Sequence, residues 1–136
     1  MLKNDTIFAS FAVDDADRAY DFYKNKLGLN VEKVMGMGGL LEIRGAGGTH
    51  VMVYPKGKEH QAANFTVLNL PVNDIEQTMT DLKAKGVKFE VLNGDPSSST
   101  APKTDETGLM RDEHMHMSIA WFKDPSGNWM SLIEKD

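Results

Sequence analysis

The sequence predicts an α+β fold made of two copies of one strand–helix–strand–strand–strand order. Two observations support this prediction. In each half of the chain, an apolar segment with the period of 2 that is typical of a strand precedes a helix. The two helices also match in length, since Gly28 lies 13 residues after Asp15 and Gly86 lies 12 residues after Asp74. An internal duplication explains both observations, although two unrelated helices of average length would give the same spacing.

The first module, about residues 1–60, begins with a predicted strand over Thr6–Val13. Both faces of this strand are mostly apolar, so we expect both to be covered. Asp14 or Asp15 can cap the helix that follows, and Gly28 can end it in a left-handed conformation. Three further strands are predicted, around Asn30–Met35, Gly39–Arg44 and Thr49–Tyr54.

The second module, about residues 61–136, repeats this order within the same single domain. Its first strand is predicted over Asn64–Leu70, and Asn73 or Asp74 can cap its helix. The remaining predicted strands are Lys88–Leu92, Met115–Lys123 and Asn128–Glu134. The intervening segment, Asn93–Asp112, has no periodicity. We therefore expect it to be either a mobile surface loop or a gate over a neighbouring pocket.

Composition excludes several classes of function. The chain has 136 residues, no cysteine, and 15 Lys and Arg against 20 Asp and Glu, a net charge of −5. The absence of cysteine excludes disulfides, thiolate metal sites and iron–sulfur clusters. The acidic balance, without a basic cluster, argues against nucleic acid or a membrane surface as a partner. No apolar run is long enough for a membrane span or a signal peptide, so we expect a cytoplasmic protein.

Two motifs give the sequence a family resemblance. Residues 15–28 follow the pattern D-x-x-R-A-x-x-F-Y-x-x-x-L-G, and residues 121–128 follow W-F-x-D-P-x-G-N. With these motifs the chain resembles the vicinal-oxygen-chelate superfamily, also called the glyoxalase/bleomycin-resistance/dioxygenase fold, over residues 6–134. The resemblance implies two tandem βαβββ modules that form a curved mixed sheet around a cleft. It also implies a homodimer.

The resemblance further implies a divalent metal held by His and Glu from both modules. Carried onto this sequence, the four ligand positions fall on Phe8, Val53 to within one residue, Phe65 and Ser131, and the neighbours of Val53, Met52 and Tyr54, are no better as ligands. Imidazole and carboxylate groups are the usual ligands of such metals, and none of these four residues supplies one. We therefore predict no metal and no other cofactor, and we assign no catalytic residue.

Without a metal site, the cleft implied by the resemblance is expected to be apolar. We therefore predict a metal-free small-molecule-binding protein of the glyoxalase/bleomycin-resistance type. Two tryptophans, two phenylalanines and a few polar groups suit an aromatic or amphipathic compound. Alternatively, these side chains fill the cleft as core. The predicted ligand-binding residues are Phe8, Ser10, Val53, Phe65, Val67, Asn69, Ile119, Trp121, Trp129 and Ser131.

Two enzymatic alternatives remain open from the sequence. One is a lyase, isomerase or dioxygenase of the same superfamily with a rearranged metal site, for which the available donors are His114, His116 and Glu113. The two histidines are opposite in parity to Ile119 and Trp121, so we expect them to face away from the cleft. The other alternative is a metal-free enzyme that uses polar groups such as Ser10, Asn69 and Ser131.

Overall fold

The structure, a computed structural model, describes residues 1–135 and divides into two compact units, Met1–Ala62 and Ala63–Asp136. The first unit contains four strands, a short helix α1 and a π-helical segment that continues α1. Their bounds are β1 Ala9–Val13, α1 Ala16–Tyr20, the π-helix Asp21–Lys26, β2 Asn30–Lys33, β3 Leu41–Arg44 and β4 His50–Pro55. Short 3₁₀ helices cover Asn4–Thr6 and Gly57–Glu59.

The strands of the first unit lie in the order β1-β4-β3-β2. β1 and β4 are parallel, and the other two pairs are antiparallel. Asp15 caps α1 by accepting a hydrogen bond from the Arg18 amide at 3.0 Å. The ring of Tyr23 lies in edge contact with those of Phe11 and Phe22, at 5.9 and 5.3 Å between centroids. These buried rings fix the helical segment on one face of the sheet.

The second unit repeats this arrangement with an added hairpin. Its elements are β5 Thr66–Pro71, α2 Ile75–Ala84, β6 Asn93–Asp95, β7 Ser98–Lys103, β8 Leu109–Asp112, β9 Met117–Lys123 and β10 Trp129–Lys135. The main sheet has the order β5-β10-β9-β8, with β5 and β10 parallel, while β6 and β7 form a separate two-stranded sheet. The two units therefore share one topology, which confirms the predicted α+β class.

One face of the second sheet is the core of that unit. Along β9, Ser118, Ala120 and Phe122 are buried, whereas Ile119 and Trp121 on the opposite face are half-buried. The Phe122 ring contacts Phe89 at 5.7 Å between centroids. Strand alternation thus places Trp121 on the accessible face and Phe122 in the core. No helix among residues 1–135 is both long and apolar enough to cross a bilayer.

The predicted strand at Lys88–Leu92 is wrong. This segment makes a single bridge, between Phe89 and Phe122, at one end of β9. The rest of that strand edge is taken by β8, which pairs Leu109 with Ala120 and Asp112 with Met117. One edge of β9 accommodates only one partner at each position. The strand that pairs there is β8, which lies about 20 residues after the predicted strand in the sequence.

The prediction that Asn93–Asp112 lacks regular structure is also wrong, since it forms β6, β7 and β8. Its polar residues make local hydrogen bonds that shape the hairpin. Asp95 Oδ1 accepts from the amide and the hydroxyl of Ser97, at 2.9 and 2.7 Å. The buried Thr104 donates its amide to the Leu92 carbonyl at 2.8 Å. The residue types that form such turns also dominate disordered segments, so composition alone did not reveal the hairpin.

The first strand is shorter than predicted and is covered on one face only. Phe11 and Val13 are buried, but Ser10 is exposed and Phe8, just before β1, is 52% exposed. The prediction that both faces are covered is therefore wrong. Apolar composition does not distinguish a face buried in the core from an accessible apolar face.

The turn before β8 gives a pH-dependent contribution to stability. The Thr107 hydroxyl, and after it the Leu109 amide, hold the pKa of Asp105 below its ordinary value of 3.8. Their distances to Asp105 Oδ1 are 2.6 and 3.0 Å. Because the folded pKa is depressed, the carboxylate stabilises the fold above pH 3.8, and this contribution is lost as the pH falls through the folded value.

We expect the free energy of unfolding of the wild type to exceed that of Asp105→Asn at neutral pH. The difference should shrink as the pH falls below 3.8, because only the wild type titrates at this position. Urea unfolding of both proteins across this range measures it. A difference that stays constant to the lowest pH would contradict the assignment.

Candidate functional site

The accessible face of the second unit carries a groove of about 300 Å³. Trp121 lies in the middle of β9, Trp129 begins β10, and Phe65 immediately precedes β5. Across the strands, Trp129 pairs with Thr66 and Ser131 pairs with Trp121, so the sheet brings the aromatic positions together. The lining residues are Asn64, Phe65, Thr66, Leu92, Pro102, Trp121 and Trp129.

The groove combines an aromatic surface with a few polar atoms. Phe65 is 65% exposed, and both tryptophans are half-buried, so all three rings are accessible. The Lys123 ammonium lies 5.0 Å from the centre of the Trp129 ring and 3.8 Å from a carboxylate oxygen of Glu90. A cation above an aromatic face, itself held by a carboxylate, restrains the indole. The arrangement suits a flat apolar molecule with a small number of polar groups.

Three of the predicted residues of the second unit, Phe65, Trp121 and Trp129, line this groove. Ile119 lies on the same face as Trp121, and Val67 is half-buried on β5. Ser131 and Asn69 are not in the lining. The Ser131 side chain is fully buried, and its hydroxyl donates to Asn69 Oδ1 at 2.7 Å. This hydrogen bond between neighbouring strands gives the Ser131 hydroxyl a structural role.

The predicted residues of the first unit are divided between the two faces of its sheet. Phe8 precedes β1, and its parity with Ser10 places both on the accessible face. Val53 is fully buried and pairs with the buried Phe11. Val53 therefore lies on the core face, which no ligand on the accessible face can contact. On β4 the accessible positions are its neighbours Met52 and Tyr54.

The residues present do not fit the divalent metal that the fold implies. Phe8 and Phe65 carry no donor atom, Val53 is a buried hydrocarbon, and the Ser131 hydroxyl is bonded to Asn69. Neutral hydroxyl and hydrocarbon groups are poor substitutes for imidazole and carboxylate ligands. Within residues 1–135, no three His, Cys, Asp or Glu side chains form a group that could hold a metal ion.

The two histidines considered as alternative donors lie in the turn between β8 and β9, and the strand begins only at Met117. Asp112 Oδ1 shapes this turn by accepting from the amides of His114 and Met115, at 3.0 and 3.1 Å. His116 has a φ of 51°, in the left-handed region. Strand alternation therefore does not apply to these histidines, so parity does not determine their orientation; both side chains are exposed.

Sequence reasoning missed four residues of the groove and one polar cluster. Leu92 and Pro102 reach the groove through the hairpin, whose pairing is not visible in the sequence; Asn64 and Thr66 flank Phe65. The cluster comprises Glu42, Arg44 and His50 on the first sheet. Arg44 Nη2 lies 2.7 Å from Glu42 Oε1, and His50 Nδ1 lies 4.0 Å from the same oxygen. The alternation of side chains along β3 could have indicated this cluster, since it places Glu42 and Arg44 on one face.

Comparison with solved structures shows the fold again at low sequence identity. The fosfomycin resistance protein FosX from Listeria monocytogenes is similar at a TM-score of 0.67 and 13% identity, over 100% of this chain and 96% of that chain. TnmS3, an antibiotic binding protein from Streptomyces sp. CB03234, is similar at 0.62 and 19%, over 99% and 100%. A superfamily member from Sphaerobacter thermophilus DSM 20745 is similar at 0.62 and 22%, over 96% and 98%.

No curated protein matches the chain in sequence. The family comparison covers residues 7–132, which include both modules and both motifs. The repeated strand order and this match agree on the family that the two motifs indicated. The chain belongs to the Glyoxalase/Bleomycin resistance protein/Dioxygenase superfamily.

Proposed function

We propose that this protein binds an aromatic or amphipathic small molecule in the groove of its second unit, without a metal. The observation that supports this most directly is the set of three accessible rings, Phe65, Trp121 and Trp129, around about 300 Å³. Aromatic side chains contribute large contact areas at low entropic cost, and a planar ligand can stack between them. The antibiotic-binding and fosfomycin-resistance functions of two similar structures are consistent with such a role.

Absence of metal chemistry is part of this proposal, and it rests on the donor set. Two phenylalanines and a hydrogen-bonded serine occupy three of the positions where the resemblance places metal ligands, and at the fourth the accessible neighbours of the buried Val53 are Met52 and Tyr54. Replacing a single ligand can be compensated by a neighbour, but four apolar or neutral groups leave no anchor for a divalent ion. The protein therefore binds its ligand through stacking and burial of apolar surface.

The amphipathic fluorophore 8-anilinonaphthalene-1-sulfonate tests the proposal, because it joins flat rings to one anionic group. We expect saturable quenching of the tryptophan emission in the wild type, and at least about fivefold weaker binding in Phe65→Ala, which removes one stacking wall. Tyr54→Ala is the matched control, since Tyr54 is an exposed aromatic residue of the first unit outside the groove. Equal affinities in the two variants, or no saturable binding, would contradict the proposal.

We further propose that the protein is a cytoplasmic homodimer and that the small molecule is its only other partner. Exposed methionines of the first unit support a self-association surface there, because Met35 and Met37, between β2 and β3, are 89% and 59% exposed. Because the chain has no cysteine, its fold requires no disulfide, which is compatible with the cytoplasm. Analytical ultracentrifugation of the wild type and of Met35→Glu measures the assembly. A monomer at every concentration would contradict the homodimer.

A further inference from the structure

One asparagine of the β6–β7 hairpin stands in a sequence context that favours loss of its side-chain amide. Asn93 is the only one of the eight asparagines of the chain that is followed by glycine, here Gly94. Because glycine has no Cβ atom, its main-chain nitrogen can approach the preceding side chain more closely than that of any other residue. The hairpin therefore contains a main-chain nitrogen that can reach a neighbouring carboxamide.

The carboxamide of Asn93 is available for such a reaction. The residue is exposed, and its side chain makes no hydrogen bond within residues 1–135. Other asparagines of the same unit are held in place. Asn69 Oδ1 accepts from the Ser131 hydroxyl at 2.7 Å, and Asn128 Nδ2 donates to Asp124 at 3.0 Å. The Asn93 side chain is thus free to turn its Cγ atom toward the main chain that follows.

The strand pairing is interrupted at the residue that carries the attacking nitrogen. Asn93 pairs with Lys103 and Asp95 pairs with Ser98, but Gly94 between them has no partner in this register. Its φ of 72° lies in the left-handed region. A residue at such an irregularity lies outside the regular ladder. The Gly94 amide is therefore less restrained than an amide in the middle of a regular strand.

We propose that Asn93 is a site of spontaneous deamidation through a cyclic succinimide. The Gly94 nitrogen, after losing its proton to base, forms a bond to Asn93 Cγ, and the side-chain nitrogen leaves as ammonia. Water then opens the ring. Attack of water at Cγ restores the ordinary peptide bond and gives aspartate. Attack at the main-chain carbonyl of residue 93 gives isoaspartate, in which the chain continues through the former side chain.

The isoaspartate product alters the groove of the second unit. Leu92 lines this groove and is tied to Thr104, since its amide donates to Thr104 Oγ1 at 3.0 Å and its carbonyl accepts from the Thr104 amide at 2.8 Å. Pro102, also in the lining, precedes Lys103, the strand partner of Asn93. Isoaspartate adds a methylene carbon to the main chain here, which shifts β6 against β7. This consequence, unlike the modification itself, rests on the proposed function.

Incubation at mildly alkaline pH, followed by tryptic mass spectrometry, tests the modification. Trypsin releases residues 89–103, in which Asn93 carries the only side-chain amide, and residues 4–18, in which the exposed Asn4 precedes aspartate. We expect the first peptide to gain the mass difference between a carboxamide and a carboxylic acid, and to become a substrate of an isoaspartyl methyltransferase. The second peptide should keep its mass. Mildly acidic pH should slow the reaction, because the Gly94 nitrogen attacks only after losing its proton.

Two variants separate the chemistry from its effect on the groove. Asn93→Gln keeps a carboxamide but must close a larger ring, so it should retain its mass and its binding of 8-anilinonaphthalene-1-sulfonate. Asn93→Asp reproduces the charge of the product without the changed linkage. We expect the deamidated wild type to bind the fluorophore about threefold more weakly than freshly prepared Asn93→Asp, because one wall of the groove has moved.

A synthetic peptide with the sequence of residues 89–103 gives the reference rate. Retention of the Asn93 amide in the folded protein, over a time in which this peptide loses its own, would overturn the proposal. Binding by the deamidated wild type that equals that of Asn93→Asp would overturn the effect on the groove and leave the modification site supported. An absence of saturable binding to the fresh wild type would contradict the proposed function alone, since the mass measurement does not depend on it.

Discussion

Replacing Phe122 by alanine is expected to lower the free energy of unfolding by about 3–5 kcal/mol. Phe122 is fully buried in the core of the second unit and packs edge-on against Phe89. Removing its ring loses the transfer free energy of the side chain and leaves a cavity that the strand cannot close. Chemical denaturation of the wild type and the variant measures the effect. A loss below about 1 kcal/mol would show that this face is not the core.

Replacing the neighbouring Trp121 by alanine is expected to act on ligand binding instead. Its half-buried ring lines the groove, so binding of 8-anilinonaphthalene-1-sulfonate should weaken by about tenfold or more. The loss of stability should be about 1 kcal/mol, because the site faces solvent rather than the packed core. Binding is followed by the emission of the fluorophore, which does not depend on the tryptophan that has been removed.

These two aromatic residues serve as controls for each other, since they are adjacent on β9 and lie on opposite faces of the sheet. We expect opposite results from the two substitutions: Phe122→Ala should mainly lower the free energy of unfolding, and Trp121→Ala should mainly weaken ligand binding. A Trp121→Ala protein that binds as the wild type does, but is destabilised as much as Phe122→Ala, would mean that the tryptophan fills a closed core. That was the alternative left open by the sequence.

Alternation and capping made much of the fold predictable. Period 2 along β9 placed Ile119 and Trp121 on one face, and the structure finds that face accessible. Asp15 and Asp74 cap their helices as the sequence indicated. These features depend on residues close together in the chain, where hydrogen-bond geometry and side-chain period act directly.

Long-range pairing accounts for what the sequence did not predict. Whether Lys88–Leu92 or Leu109–Asp112 occupies the edge of β9 depends on competition for one set of hydrogen bonds. The hairpin that carries Pro102 into the groove depends on the non-local contact between Leu92 and Thr104. Apolar character at Phe8 and Phe65 likewise did not reveal that both rings remain exposed.

The most direct test of metal-free binding is a titration with and without chelator. Protein whose metal content has been measured is titrated with 8-anilinonaphthalene-1-sulfonate, first as purified and then after exhaustive treatment with EDTA. We expect the same saturable binding in both samples, because no three His, Cys, Asp or Glu side chains within residues 1–135 form a group that could hold a metal ion. Loss of binding after EDTA, with recovery on adding Zn²⁺ or Mn²⁺, would contradict it.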